Sequence, residues 1–147
     1  MPSKDLIDEV NALFKSYCAS FEALDPEAIA DHFAYPGMIV SDAEEVALIM
    51  LASREECVAA VAGVVALHRK LGVATGRIHD LSVLELSPRL VQASLKMEVL
   101  NQTMSYLYDF DATYSLAKIS GAWRIVVISH NQIPRLLRCV AQHQSDT

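Results

Sequence analysis

Two neighbouring stretches of this chain alternate apolar and polar residues along their whole length, a pattern that admits little besides long sheet strands. Between Arg89 and Asn101, Val91, Ala93, Leu95, Met97 and Val99 alternate with Gln92, Ser94, Lys96 and Glu98. Between Ser105 and Lys118, Tyr106, Tyr108, Phe110, Ala112, Tyr114 and Leu116 share one side, with Leu107, Asp109, Asp111, Thr113 and Ser115 on the other. A period of two puts one row on a core face and the other on a wetter face. Both runs exceed the usual strand of roughly five or six residues. Strands this long twist and coil, so the sheet is expected to offer a concave face that can hold a pocket.

Two further strands are expected beside them, Val73 to Leu86 and Ala122 to Asn131. Ser87-Pro88, Asn101-Gln102-Thr103 and Ser120-Gly121 supply the breaks between the four. In the last strand Trp123, Ile125 and Val127 occupy one face, while Val126 and Ile128 occupy the other. A strand apolar on both faces is covered on both faces. Helices of so short a chain cover one side economically, which predicts a homodimer through the other.

The first half supplies those helices. Leu6, Val10, Leu13, Phe14, Tyr17 and Phe21 recur at three- and four-residue steps, predicting a helix from Ser3 to Ala23 with one broad apolar stripe. Asp25-Pro26 caps and starts a short second helix, ending near Phe33 or Ala34, and Tyr35-Pro36-Gly37 breaks it. Met38 to Ser41 and Glu45 to Leu51 read as short strands around an Asp42-Ala43-Glu44 turn. Ser53 and Glu56 form a capping box for a third helix, which runs to Leu71 with Gly72 at its left-handed end. Val58, Val61, Ala62 and Val65 provide its core side. After the sheet, Asn131-Gln132-Ile133-Pro134 is a terminator, Leu136 and Leu137 a short closing turn, and Gln142 to Thr147 a frayed tail.

Composition narrows the class. The 147 residues fit one domain, residues 1–147, and 52% hydrophobic content with five glycines and five prolines argues against disorder. Eighteen acidic residues against twelve basic ones give a net charge of -6, which leaves no basic footprint for nucleic acid or an acidic membrane. Cys18, Cys57 and Cys139 show no CxxC spacing, and Cys18 and Cys57, within apolar helical stretches, read as inert buried thiols. No histidine–acid cluster has metal-ligand spacing and no glycine loop would cradle a phosphate, so no metal or cofactor is expected. The opening MPSKDLIDE is too charged for a secretory signal, and no apolar run approaches the roughly 20 residues that span a bilayer. A cytoplasmic location follows as the expectation.

The order of helix, short helix, two short strands, helix and four long strands carries a family likeness. So do Tyr17-Cys18-Ala19-Ser20-Phe21-Glu22-Ala23-Leu24-Asp25-Pro26-Glu27-Ala28-Ile29, Phe33-Ala34 and Gly121-Ala122-Trp123-Arg124-Ile125. Over residues 6–131 the chain resembles the nuclear transport factor 2-like superfamily, in particular its SnoaL-like and ketosteroid-isomerase-like members. The resemblance implies an α+β fold: a cone-shaped, cystatin-like fold with a strongly curved, mostly antiparallel sheet packed by three helices. It also implies a largely apolar cavity and, as in many members, dimerisation through the sheet. Members include isomerases, cyclases, dehydratases and epoxide hydrolases. In the ketosteroid-isomerase-like pattern the oxyanion-supporting tyrosine falls on Tyr17. The general-base aspartate falls on Ser41 without a gap, with Asp42 one place away, and a one-place slip in an extended segment reverses side-chain direction. Asp109 and Asp111 are the acids nearest to the second oxyanion donor.

Several side chains are therefore candidates for chemistry. Tyr17 is either a phenol aimed into a cavity, able to donate to a developing oxyanion, or a core tyrosine with one partner. Asp42 is either a buried base or an acidic turn residue beside Glu44 and Glu45. His79, in register with Arg77, would bind a carboxylate or move a proton if that face is concave. Asp31 and His32 are adjacent on the short helix and point different ways. Tyr106, Tyr108, Phe110 and Tyr114 either line a pocket for a small apolar or aromatic molecule or form the dimer interface. His130 falls at the cavity rim, and His68 and His143 read as helix-end and tail residues.

The sequence thus describes a small-molecule-binding cavity protein. As an enzyme it would be a cofactor-independent isomerase, cyclase or dehydratase acting by proton transfer on a small apolar or carbonyl compound. Asp42 or His79 would be its base and Tyr17 its oxyanion partner. The alternative is a non-catalytic ligand-binding or interaction module acting as a homodimer.

Overall fold

The computed structural model describes residues 2–145. Helix α1 (Lys4–Glu22) and short α2 (Pro26–Ala30) precede a hairpin of β1 (Phe33–Asp42) and β2 (Val46–Leu51). Helix α3 (Arg54–Leu71) leads into β3 (Val73–Ser87), β4 (Leu90–Asn101), β5 (Tyr106–Ile119) and β6 (Ala122–His130), and α4 (Gln132–Ser145) follows. Local chemistry sets the helix ends. The Ser3 hydroxyl accepts from the Leu6 N–H, the Asp25 carboxylate from Glu27 and Ala28, and the Ser53 hydroxyl from Glu56. The Glu56 carboxylate returns to the Ala52 N–H, one residue before the cap. Gly72, at φ 71°, closes α3 in the left-handed region that favours glycine.

The strands form one sheet in the order β2-β1-β6-β5-β4-β3. Its inner face carries Val91, Ala93, Leu95, Met97 and Val99 from β4 and Tyr108, Phe110, Ala112, Tyr114 and Leu116 from β5. These pack with Leu6, Val10, Phe14 and Tyr17 of α1 and Val61 and Val65 of α3 in one hydrophobic cluster. The outer face of the long strands is polar, with Ser94, Lys96, Asp111 and Thr113 around an open groove. Among the described residues no helix is long and apolar enough to cross a membrane.

The expected cone, with its strongly curved, mostly antiparallel sheet under three helices, is corrected. The sheet is mixed, it is not strongly curved, and the described residues form four helices. The β1–β6 pair is parallel: Ile39 sits beside Ile128 and Ser41 beside His130, and the Ile125 N–H donates to the His32 carbonyl at 2.8 Å. The extra helix is α4. Pro134 falls in its first turn, where backbone N–H groups have no intrahelical partner, so the residue that reads as a terminator is tolerated. Leu136 and Cys139 are buried, and Gln142–Ser145 extend the helix; Asp146 and Thr147 lie outside the described residues.

Two other local expectations change. Tyr35-Pro36-Gly37 lies inside β1, with a register shift between Phe33 and Met38. A Cβ on Gly37 would stand 2.7 Å from the Ala34 carbonyl oxygen and 2.8 Å from that of Val126. Only glycine lets the backbones approach this closely. In β6 a bulge at Val126 puts Ile128, not Val127, on the inner face with Trp123 and Ile125.

Candidate functional site

Between the inner face and the helices lie two small cavities that share Tyr17, Phe21, Ile128 and Gln132 as walls. The first runs from Phe110 and Tyr114 past His68 to a mouth at Glu22 and Thr75. It encloses about 520 Å³ of empty space including its open mouth, of which about 50 Å³ admits the centre of a water molecule. The second, with about 70 Å³ of the latter kind, reaches Ser41, Ile49 and His130. Among the described residues that line the two lobes there is no lysine or arginine, and Glu22 at the mouth is the one acid. Its carboxylate accepts from the Thr75 hydroxyl.

A polar relay is built into this apolar space. His68 projects from the buried face of α3 and is only 4% exposed. Its Nε2 lies 2.6 Å from the Tyr108 phenol, and Gln132 Nε2 donates to the same phenol at 3.0 Å. The backbone N–H of Gln132 donates to His130 Nδ1 at 3.1 Å. His68 Nδ1 is buried and has no hydrogen-bond partner. Burial pulls the His68 imidazole down to about 4, so it is neutral at pH 7. His130 is lowered for the same reason. Burial raises the phenols of Tyr17, Tyr108 and Tyr114, keeping all three protonated, and pushes the Cys18 thiol up to about 11. Apart from Glu22 at the mouth, the cavity therefore offers neutral donors and acceptors.

Of the residues singled out in the sequence, Tyr17, Tyr108, Phe110 and Tyr114 are buried on the inner side, and His130 borders the second lobe. Tyr17 is 4% exposed, edge-on to Phe21, Phe33 and Tyr114. Tyr108, Phe110 and Tyr114 are buried within the single chain. Tyr106 is the exception: at the strand end, beyond the register shift at Val99 and Leu100, it is 57% exposed and donates to Asp109.

The expected catalytic trio does not converge. His79 pairs across the strand with Lys96, and its Nε2 lies 3.4 Å from Glu98 on the outer face. Arg77 sits opposite Glu98 on that same face. Asp42 lines the outer groove. The reason is strand parity, since Ser41 turns inward, buried in the wall of the second lobe, and Asp42 turns out. Asp109 and Asp111 are also outside, paired with Arg135 at 2.8 Å and with Lys96 at 3.1 Å. Just past the end of α2, the His32 ring bonds Ser16 and the Ala28 carbonyl, while Asp31 pairs with Arg54 at 2.6 Å. Among the described residues no group of three His, Cys, Asp or Glu side chains is placed to hold a metal ion.

Two residues of the relay went unmarked in the sequence. His68 falls in phase with Cys57, Val61, Val65 and Leu71 on the buried face of α3, and that spacing could have singled it out. Gln132 carries no such signal, because the helix it opens was itself hidden by Pro134.

Solved structures with this fold are numerous. Aln2 from a Streptomyces species aligns with a TM-score of 0.71 at 18% identity, over 97% of this chain and 98% of that one. A Nostoc punctiforme protein of unknown function with a cystatin-like fold gives 0.69 at 15% identity, over 88% and 92%. A Catenulispora acidiphila protein, solved in complex with S-DNPA, gives 0.67 at 18% identity, over 87% and 95%. At these identities the likeness establishes the fold alone. No curated protein matches the sequence. Residues 8–132 match the family described as NTF2-like protein (DUF6841), and the chain belongs to that family.

Proposed function

We propose that this protein binds a small, largely apolar molecule in the cavity between its helices and the inner face of its sheet. The observation that carries the reading is that His68 and Gln132, joined through the Tyr108 phenol, both line a largely apolar cavity with Glu22 at its mouth. Pockets of this composition use apolar walls for affinity and a few polar groups for orientation. The S-DNPA complex of the Catenulispora acidiphila protein supports the idea that this fold can hold a ligand. Binding is favoured over proton abstraction because Asp42 and His79 face away and the cavity holds no carboxylate beyond Glu22 at the mouth.

The test is a titration of isotope-labelled protein with small aromatic compounds, followed by amide and methyl chemical shifts. Saturable shifts centred on Phe21, His68, Val99 and Ile128 are expected. Shifts confined to the outer groove, or no saturable binding at millimolar concentrations, would overturn the reading.

A second reading is a homodimeric interaction module. Edge strand β2 favours it, exposing Val46, Leu48 and Met50 beside unpaired backbone groups. A monomer in light scattering at micromolar concentration removes it.

A further inference from the structure

We infer that the ligand of this cavity is a neutral carbonyl compound whose oxygen accepts a hydrogen bond from His68 Nδ1. The inference rests on the cavity reading above and deepens it by naming the ligand chemistry.

The placement of protons in the relay leads to it. Tyr108 has one hydroxyl proton and accepts from Gln132 Nε2 at 3.0 Å. Its own proton needs an acceptor, and the neighbour within reach is His68 Nε2 at 2.6 Å. With Nε2 accepting, the proton of the neutral imidazole sits on Nδ1. That N–H is buried and without a partner in the protein. A stranded buried donor is costly, and its persistence at a cavity wall points to a partner that arrives from outside. His68 lines the first lobe, and its Nε2 is taken up by Tyr108, which does not line it.

What the donor would accept is narrowed by the rest of the wall. Without a lysine or arginine in either lobe, and with Glu22 at the mouth, a carboxylate or phosphate would enter unpaired past a like charge. A cation would have to leave Glu22 behind to reach His68, whose free group is a donor. A hydroxyl would bring a proton needing its own acceptor. A ketone, aldehyde or ester oxygen satisfies the N–H without adding a donor, and its apolar remainder suits Phe21, Met97, Val99 and Phe110.

The experiment uses three probes of similar size: acetophenone, its near-isostere isopropylbenzene, and benzoate. Binding to the full chain is followed by chemical-shift titration, and the His68 tautomer is read directly from long-range nitrogen–proton correlations. The wild-type ring should carry its proton on Nδ1. Acetophenone should bind roughly fivefold tighter than isopropylbenzene, the equivalent of one ordinary hydrogen bond, and benzoate weakest. In His68→Leu the preference between the two neutral probes should vanish while both still bind. Equal binding of the two by wild type, stronger binding of benzoate, or a proton on Nε2 would overturn the inference and leave the cavity reading standing. Failure of all three to bind would overturn both. The tautomer and probe ranking need only the wild-type protein, so they decide the matter even if His68→Leu does not fold.

Discussion

Replacing Tyr108 with phenylalanine removes a single oxygen and strands two buried partners. The phenol now takes the proton of Gln132 Nε2 and supplies one to His68 Nε2, in a part of the molecule where His68 and Gln132 are both buried. Each stranded partner costs about 1–3 kcal/mol, and sharing one site limits the sum to about 2–4 kcal/mol. A chain of 147 residues loses stability at roughly 0.3 kcal/mol per degree near its midpoint, so the melting temperature should fall by about 7–13 °C. Tyr106→Phe is the internal control. Its phenol is exposed and makes one bond, to Asp109 at 3.2 Å, and its loss should cost under about 0.5 kcal/mol. Urea unfolding followed by circular dichroism gives both values, with an unchanged m-value as the check that the unfolded state is the same. If the two variants lie within about 0.5 kcal/mol of one another, taking a measurement error of that size as the margin, the relay holds nothing together and the proton order assigned to it loses its footing.

Three further outcomes follow from the same geometry. His68 titrates near 4 in the fold against 6.5 when free, so between those values the unfolded chain binds a proton that the folded chain does not. Its contribution is whole above pH 6.5 and is lost as pH falls through about 4; wild type should lose about 3 kcal/mol more than His68→Leu across that window in urea unfolding. Asp42→Asn and His79→Gln lie on the outer face and should leave acetophenone affinity unchanged within about twofold, since each makes at most one exposed contact there; a tenfold loss in either would put the binding site on that face. Gly37→Ala should destabilise by about 3 kcal/mol or more, because the new methyl meets two backbone carbonyls that cannot rotate away; a melting temperature within about 2 °C of wild type would mean that β1 shifts freely, given the few degrees expected per kcal/mol.

What the sequence disclosed and what it hid divide along physical lines. The inner row of β4, that of β5 beyond Tyr106, the stripe of α1 and the caps at Asp25, Ser53 and Gly72 are local or strictly periodic, and each forms as read. The parallel pairing of β1 with β6 joins segments from opposite ends of the chain, and no local pattern encodes it. Bulges defeat parity, as at Val126, where one extra residue moves Ile128 to the inner face. Parity also decided the fate of Asp42: the carboxylate drew attention, but the inward position belongs to Ser41. His68 was passed over because a histidine near a helix end usually faces water, although its phase with Val61 and Val65 pointed inward.

The parallel pairing of β1 with β6 also imposes an order on synthesis. As the chain leaves the ribosome, β1 and β2 appear early, yet the strand that must lie beside β1 is the last of the six to be made. About 80 residues separate the end of β1 from the start of β6, which translation covers in roughly 4–16 s. Throughout that interval the hairpin is a two-stranded ribbon, marginal on its own, with one edge awaiting β6 and the other displaying Val46, Leu48 and Met50. The nascent protein is therefore most open to mispairing with its neighbours on a polysome, and chaperone supply during translation should govern its yield more than the stability of the finished fold.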